Sequence, residues 1–173
     1  MTIVQCEHQR HAAQILSIFN EAIVNSTALY DYKPRTADMM RAWFEAKATG
    51  SFPVIGAEGD GGELMGFATF GSFRTRPAYK YSVEHSVYVD ARFRGRGIGR
   101  RLLEEVIEAA REQDYHVLIG AIDATNKPSL ALHERLGFTH CGTIRQVGFK
   151  FGRWLDLSLY QLILATPLQP IDG

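Results

Sequence analysis

VYVDARFRGRGIGRR, running from Val87 to Arg101, changes from the two-residue alternation of a strand to the 3.6-residue period of a helix across a turn of arginine and glycine. Beyond the turn, Ile98, Leu102, Leu103, Val106, Ile107 and Ala110 fall on one helical face, with Glu104, Glu105, Glu108 and Arg111 elsewhere. Arg92, Arg94, Arg96, Arg100 and Arg101 therefore surround a helix N-terminus. An exposed cation there opposes the macrodipole by a few tenths to roughly 1 kcal/mol, whereas the same free N–H groups favour an anion. Gly95, Gly97 and Gly99 take side chains out of the turn, so successive backbone N–H groups can approach a phosphate. The pattern fits a pyrophosphate. A P-loop needs Lys and Ser/Thr after its last glycine, where this chain has Arg100-Arg101, and the dinucleotide fingerprint needs glycine where Arg100 stands. A solvated basic turn and an arginine–glycine nucleic-acid segment share the composition, but this run is unrepeated and lies between a Val-rich strand and a strong helix.

Working outward, the spacing predicts a short strand at Thr2–Gln5 and a helix from His8 to Val24 carrying Ala12, Ile15, Leu16, Phe19, Ala22 and Ile23. Asn25 to Lys33 is polar and aromatic without a period, and Pro34-Arg35-Thr36 leads into a second helix with Met39, Met40, Trp43 and Phe44. Strands are expected at Phe52–Glu58, Leu64–Arg74 and Tyr81–Val89, with GDGG at 59–62 turning between the first two. After the Gly97 helix come a strand at His116–Asp123 and a helix capped by Asn126, primed by Pro128 and ended by Gly137. Phe138–Val147 and Trp154–Leu164 read as a closing hairpin around GFKFG. Strands and helices in this order indicate an α+β fold around a mixed, twisted sheet.

With 173 residues and no internal boundary in composition, residues 1–173 read as a single domain. Nineteen Lys+Arg balance nineteen Asp+Glu, so the molecule has no overall field to draw nucleic acid or an anionic membrane, and an anion site must be local. Cys6 and Cys141 stand far apart with no Cys/His cluster, which argues against a disulfide framework and a structural metal, and suits a reducing cytoplasm. No secretory signal or membrane span is expected: charge and amide interrupt the N-terminus, and Gln161, Thr166 and Pro167 interrupt the most apolar stretch.

Arg94-Gly95-Arg96-Gly97-Ile98-Gly99 resembles the R-x-x-G-x-G/A pyrophosphate loop of the GCN5-related N-acetyltransferase family. Asn126-Lys127-Pro128-Ser129, followed by Leu136-Gly137-Phe138, resembles that family's second signature, one strand later. Tyr79, Glu84, Val87-Tyr88-Val89, Asn126 to His133, and Gly148-Phe149-Lys150 with Gly152, Trp154, Asp156 and Gln161 look like the branch acting on phosphinothricin and methionine sulfoximine or sulfone. The likeness covers about residues 2–164. It implies a mixed central sheet with two splayed parallel strands, flanking helices, and acetyl-CoA between those strands. Val87, Tyr88, Val89, Arg94 to Arg100, Asn126 and Ser129 would hold the cofactor, and no metal is implied.

Acetyl transfer from a thioester to an amine needs a proton taken from the ammonium, an oxyanion stabilised and a proton for the thiolate. Ser82, Glu84, Ser86 and Tyr88 share one face of their strand, and Val83, His85, Val87 and Val89 the other. Glu84 is either a sheet-surface carboxylate or, as the resemblance implies, the general base, acting directly or through water. His133 stands where many relatives have a tyrosine that protonates the thiolate; it is either that acid or a hydrogen-bonding partner of the cofactor. Arg74 and Arg76 are candidates for a substrate carboxylate, since a guanidinium fork matches it in paired hydrogen bonds. The resemblance favours Arg74, and Tyr30 lies on the aperiodic segment that would cover the pocket. Relatives are dimers, which places Lys150 to Trp154 near a neighbouring subunit's site. The expected function is acetyl-CoA-dependent acetylation of the α-amine of a small amino-acid-like substrate. Alternatives are an acetyltransferase for an aminoglycoside or a protein N-terminus, and a non-catalytic acyl-CoA sensor.

Overall fold

The computed structural model describes residues 1–172. In chain order the elements are β1 (Thr2–Gln5), α1 (His8–Asn25), α2 (Ala37–Thr49), β2 (Val54–Glu58), β3 (Leu64–Ser72), β4 (Ser82–Val89), α3 (Ile98–Glu112), β5 (Val117–Asp123), α4 (Lys127–Arg135), β6 (Thr139–Lys150) and β7 (Arg153–Ile163). The strands form one seven-stranded mixed sheet in the order β1-β2-β3-β4-β5-β7-β6. β4 and β5 are parallel, pairing Ser82–Glu84 with Val117–Ile119, and the β1–β2, β2–β3, β5–β7 and β6–β7 ladders are antiparallel. The parallel ladder stops at Glu84 although β4 continues to Val89 and β5 to Asp123.

The chain divides into two compact units, one of Met1–Gly71 with Ser86–Val106, the other of Ser72–His85 with Ile107 onward. In the first, Ile15, Ile18 and Phe19 of α1 pack with Met40, Val54, Leu64 and Phe67 in a buried cluster. This is the apolar stripe that the three-and-four spacing announces. Edge-to-face contacts join Phe19 to Trp43, Phe67 and Tyr88. Gly66 lets β3 approach β4, since a Cβ there would stand 2.7 Å from the Tyr88 carbonyl oxygen. At the start of α1 the cap residue Glu7 makes no side-chain cap, and His11 replaces it. The Glu7 N–H donates to His11 Nδ1 at 2.8 Å, leaving Nε2–H to bond the buried Glu58 carboxylate at 3.0 Å, whose other oxygen takes Arg10 at 2.8 Å.

In the second unit Val83, Ala110, Leu118, Ile122, Phe138, Leu155 and Tyr160 are buried. Asn126 caps α4 by accepting the Ser129 N–H at 3.2 Å, and Gly137 leaves the helix with φ of 88°. Several boundaries differ from the expected ones by one to three residues. β3 ends at Ser72, two residues before Arg74. The final hairpin runs through GFK, because Lys150 pairs with Arg153 and the turn consists of Phe151 and Gly152, both left-handed with φ of 51° and 72°. That is the two-residue geometry whose twist matches the strands, and it places the turn at the end of the expected GFKFG segment. Gly148 instead follows a register shift after Ile144, where the Gln146 N–H bonds Asp156 Oδ1 at 2.8 Å.

Candidate active site

β4 leads into the glycine turn, and Gly95 and Gly97 take φ of 78° and 80°, conformations that side-chain-bearing residues rarely adopt. A Cβ at either glycine would meet nothing within 4 Å, so the turn presents open backbone ahead of α3. Ile98 is buried and anchors the first turn of the helix, Gly99 adds no side chain to it, and the exposed Arg100 side chain turns along the helix to Glu104. No acidic residue lies in the first turn, and its N–H groups lack intrahelical acceptors. This arrangement fits an anion. The arginines contribute less than their number suggests, because four of them already have carboxylate partners. Arg92 holds Asp90 at 2.7 Å, Arg94 holds Glu21 at 2.5 Å, Arg100 holds Glu104 at 2.8 Å and Arg101 holds Glu105 at 2.5 Å. Arg96 stacks on Phe93 and has no carboxylate partner among the described residues. The electrostatic demand for an external anion therefore rests on the backbone and on Arg96. Val87, Tyr88 and Val89 are half-buried on β4, with the Tyr88 ring against Phe19 and Phe67.

Glu84 lies in the other unit, at the last rung of the parallel ladder. Its edge meets solvent, yet the surrounding protein crowds the carboxyl, and burial raises its pKa while the Arg74 charge pulls the other way. Arg74 and Arg76 are both exposed beyond the end of β3, and only Arg74 has a charge interaction with Glu84. The buried neighbours Val83 and His85 fix the strand's face, so Glu84 is held outward by packing beneath it.

His133 is brought not to solvent but to a second histidine. His85 Nε2 lies 2.9 Å from His133 Nε2, and His133 Nδ1 lies 2.7 Å from the Ser129 carbonyl oxygen. The rings stack at 5.1 Å beside Phe138, and both are buried. Gly120 makes room for them, since a Cβ there would stand 3.1 Å from His85 Cε1 and 3.2 Å from His133 Cδ2. Burial lowers the pKa of both, that of His85 to about 3, with His133 adding to the effect and the Ile119 backbone opposing it. Both ring nitrogens of His133 are thus engaged within the fold. His85 escaped the sequence reading; its signal was a histidine alternating with valines on the apolar face of a strand.

Asn126 and Ser129 are half-buried on the first turn of α4, where the Asn126 carbonyl oxygen serves as the cap. Tyr30 is half-buried on the aperiodic segment between α1 and α2. That segment is pinned where Arg35 N–H donates to Asn20 Oδ1 at 2.7 Å and Asn20 Nδ2 returns a bond to the Arg35 carbonyl at 3.1 Å. At the tip of the last hairpin Lys150 is buried, while Phe151, Gly152, Arg153 and Trp154 are exposed. Among the described residues no group of three or more His, Cys, Asp or Glu is placed to hold a metal ion, and no helix is long and apolar enough to cross a membrane.

A family model described as the acetyltransferase (GNAT) family matches residues 15–138, taking in the glycine turn, β4, β5 and α4. The chain belongs to the GNAT acetyltransferase family. Its seven-stranded mixed sheet with four helices is shared by GNAT structures. A GNAT superfamily phosphinothricin acetyltransferase from Sinorhizobium meliloti, solved in complex with acetyl-CoA, matches with a TM-score of 0.93 at 30% identity over 98% of this chain and 91% of that one. An L-methionine sulfoximine/L-methionine sulfone acetyltransferase of Pseudomonas paraeruginosa is 45% identical over 150 residues, 87% of each chain. An L-amino acid N-acyltransferase of Escherichia coli is 40% identical over 158 residues, 91% of each chain. This GNAT chain is accordingly an N-acetyltransferase, and acetyl-CoA use is supported both by the family and by the open, positively polarised turn.

Proposed function

We propose that this enzyme acetylates the α-amino group of a small amino-acid-like substrate such as L-methionine sulfoximine, L-methionine sulfone or phosphinothricin, in a ternary complex without an acyl-enzyme. The observation that carries the reading is the Glu84 carboxyl with its raised pKa and the Arg74 charge acting on it. A zwitterionic amino acid offers an ammonium to Glu84 and a carboxylate to Arg74. Glu84 takes the ammonium proton, directly or through one water, and its raised pKa brings its basicity closer to that task. Arg74 holds the carboxylate in a charge-assisted fork, with Arg76 and Tyr30 as further contacts. Acetyl-CoA, when bound, supplies the activated acetyl group. The turn from Arg94 to Arg100 would hold its pyrophosphate, Val87 to Val89 and Asn126 with Ser129 its pantetheine arm. His133 supports that arm's helix, since both of its ring nitrogens already have partners. Cys6, with burial pushing its thiol up to about 12, is unsuited to covalent catalysis.

The family match spans residues of both units, which supports reading residues 1–173 as one functional domain. We further assign a homodimer that uses the last hairpin. β6 is the sheet edge, and Phe149, Phe151 and Trp154 stand exposed along the hairpin, Trp154 by 59%. An edge strand with exposed aromatics is the kind of surface a second copy covers. Two free cysteines fit a cytoplasmic enzyme, and acetylation of such toxic analogues would confer resistance to them.

The test is a panel of methionine sulfone, methionine sulfoximine, phosphinothricin, an amidated amino acid, a polyamine and an aminoglycoside, followed by release of the coenzyme A thiol. The free amino acids should react and the amide, polyamine and aminoglycoside should not. Tight acetyl-CoA binding with no thiol release from any amine would indicate a sensor instead.

A further inference from the structure

For a neutral pair, the Ser129 carbonyl orders the protons of the His85–His133 contact. The Ser129 carbonyl only accepts, so His133 Nδ1 must be the donor in the 2.7 Å bond. In a neutral His133, Nε2 is then an acceptor, and the 2.9 Å bond requires the proton to be on His85 Nε2. His85 Nδ1 is buried with no partner in hydrogen-bonding geometry among the described residues, while the Ile119 backbone lies near enough to the ring to favour its protonated form. Gly120 removes the one Cβ that would crowd both rings. Among the described residues no carboxylate is paired with either imidazole: the groups against them are Phe138, the Ile119 backbone and, at 6.5 Å, the Tyr160 ring, whose hydroxyl donates to Glu134.

The two rings belong to elements with different duties. His85 follows Glu84 on β4, and Ser129 and His133 lie on α4, whose cap is Asn126. Beyond Glu84 the parallel ladder no longer joins β4 to β5, so the His85–His133 bond supplies a side-chain link from this point of β4 to α4.

We propose that His85 is a positioning residue for acetyl transfer: its Nε2–H, donated to His133, locks the His133 ring onto the Ser129 carbonyl and ties the first turn of α4 to the strand that carries Glu84. The proposal rests on Glu84 and the Asn126–Ser129 turn having the roles assigned above. Displacement of a reacting group by about 1 Å is enough to cost on the order of 100-fold in rate.

The experiment compares the wild-type enzyme with His85→Leu and His85→Gln. His85→Leu removes the donor but exchanges one unpartnered nitrogen, His85 Nδ1, for another, His133 Nε2, so the melting temperature should move little. Its acetyl-CoA dissociation constant by calorimetry should rise about tenfold, with kcat lowered by a similar factor. His85→Gln, which can place an N–H near the imidazole Nε2 position, should restore both to within about threefold of wild type. Nitrogen-15 spectra of the wild-type imidazoles at about pH 8 should show His85 protonated at Nε2 and His133 at Nδ1. Wild-type affinity and turnover in His85→Leu, or a His133 that carries its proton on Nε2, would overturn the proposal. If His85→Leu does not fold, failure of His85→Gln to keep near-wild-type affinity would count equally against it. The spectra and the dissociation constant need no turnover, so an error in the substrate assignment would appear separately, as an inactive wild-type enzyme with the expected tautomers.

Discussion

Arg94 Nη2 lies 2.5 Å from Glu21 Oε2, and the same guanidinium donates through Nε to the Val89 carbonyl at 3.2 Å. The first arginine of the glycine turn therefore braces that turn against α1 and the end of β4. Its charge is compensated before any ligand arrives. Arg96, two residues on, stacks on the Phe93 ring and has no carboxylate partner among the described residues.

A division of labour follows for the turn. Arg96→Ala should raise the acetyl-CoA KM several-fold and make it less sensitive to salt, with stability unchanged. Arg94→Ala and Glu21→Ala should cost stability less than additively, since both break the Arg94–Glu21 bond, with Arg94→Ala the more severe because it also loses the bond to the Val89 carbonyl. Gly97→Val should raise KM most, because it forces a β-branched residue to φ of 80°. Unchanged acetyl-CoA KM in a folded Gly97→Val enzyme would remove the turn from the cofactor site.

Arg74 makes a second test. Arg74→Ala, or amidation of the substrate carboxylate, should each lower kcat/KM by one to two orders of magnitude, about 1.4–2.8 kcal/mol. The combination should cost little more than either, and Arg74→Lys should rescue little, since an ammonium lacks the fork. Additive losses would assign the carboxylate to another group, Arg76 first.

The buried histidine pair gives stability a definite pH dependence. His85 is held at about 3 when folded, against 6.5 for an unperturbed histidine, so the unfolded chain binds more protons between those values. Its share of stability is intact above pH 6.5 and is lost as pH falls towards 3. Denaturant unfolding at stepped pH should show His85→Leu losing less stability than wild type across that window. Parallel curves would mean that His85 is not held neutral.

The thiols should be chemically unequal. Cys141 is exposed, whereas Cys6 is buried with its thiol raised to about 12 by burial first and by Glu58 second. Native enzyme treated with a soluble alkylating reagent should gain one adduct, on Cys141, and retain activity; denaturation should release the second. Rapid native modification of Cys6 would contradict its place in the core.

The two elements that most define the family were legible from local pattern. The glycine turn joins a period of two to a period of 3.6, and Asn126 with Pro128 announces α4; both are short-range signals. Pairing across space was not. The acids that neutralise Arg100 and Arg101 stand four residues downstream and could be found by helical spacing, but Glu21, which takes Arg94, lies far back in the chain. His85 and His133 are separated by 48 positions, and nothing in either neighbourhood says that they meet. The last hairpin is legible as a turn within GFKFG, but only the pairing of Lys150 with Arg153 tells which of Gly148 and Gly152 stands at the turn.

The claim on which the account depends is that Glu84 removes the proton from the amine. Burial raises its pKa against the pull of Arg74, so the base is lost by protonation at a higher pH than in an unperturbed glutamate. A raised folded pKa also means that the charged form slightly disfavours folding near neutral pH, so Glu84→Gln should be at least as stable as wild type. The decisive measurement is kcat/KM for methionine sulfone as a function of pH in wild type and Glu84→Gln, with the acetyl-CoA dissociation constant taken alongside. The account predicts a loss of roughly 100-fold or more at neutral pH, disappearance of the acid limb assigned to Glu84, and unchanged cofactor affinity. Full activity with the wild-type pH profile in Glu84→Gln would contradict it.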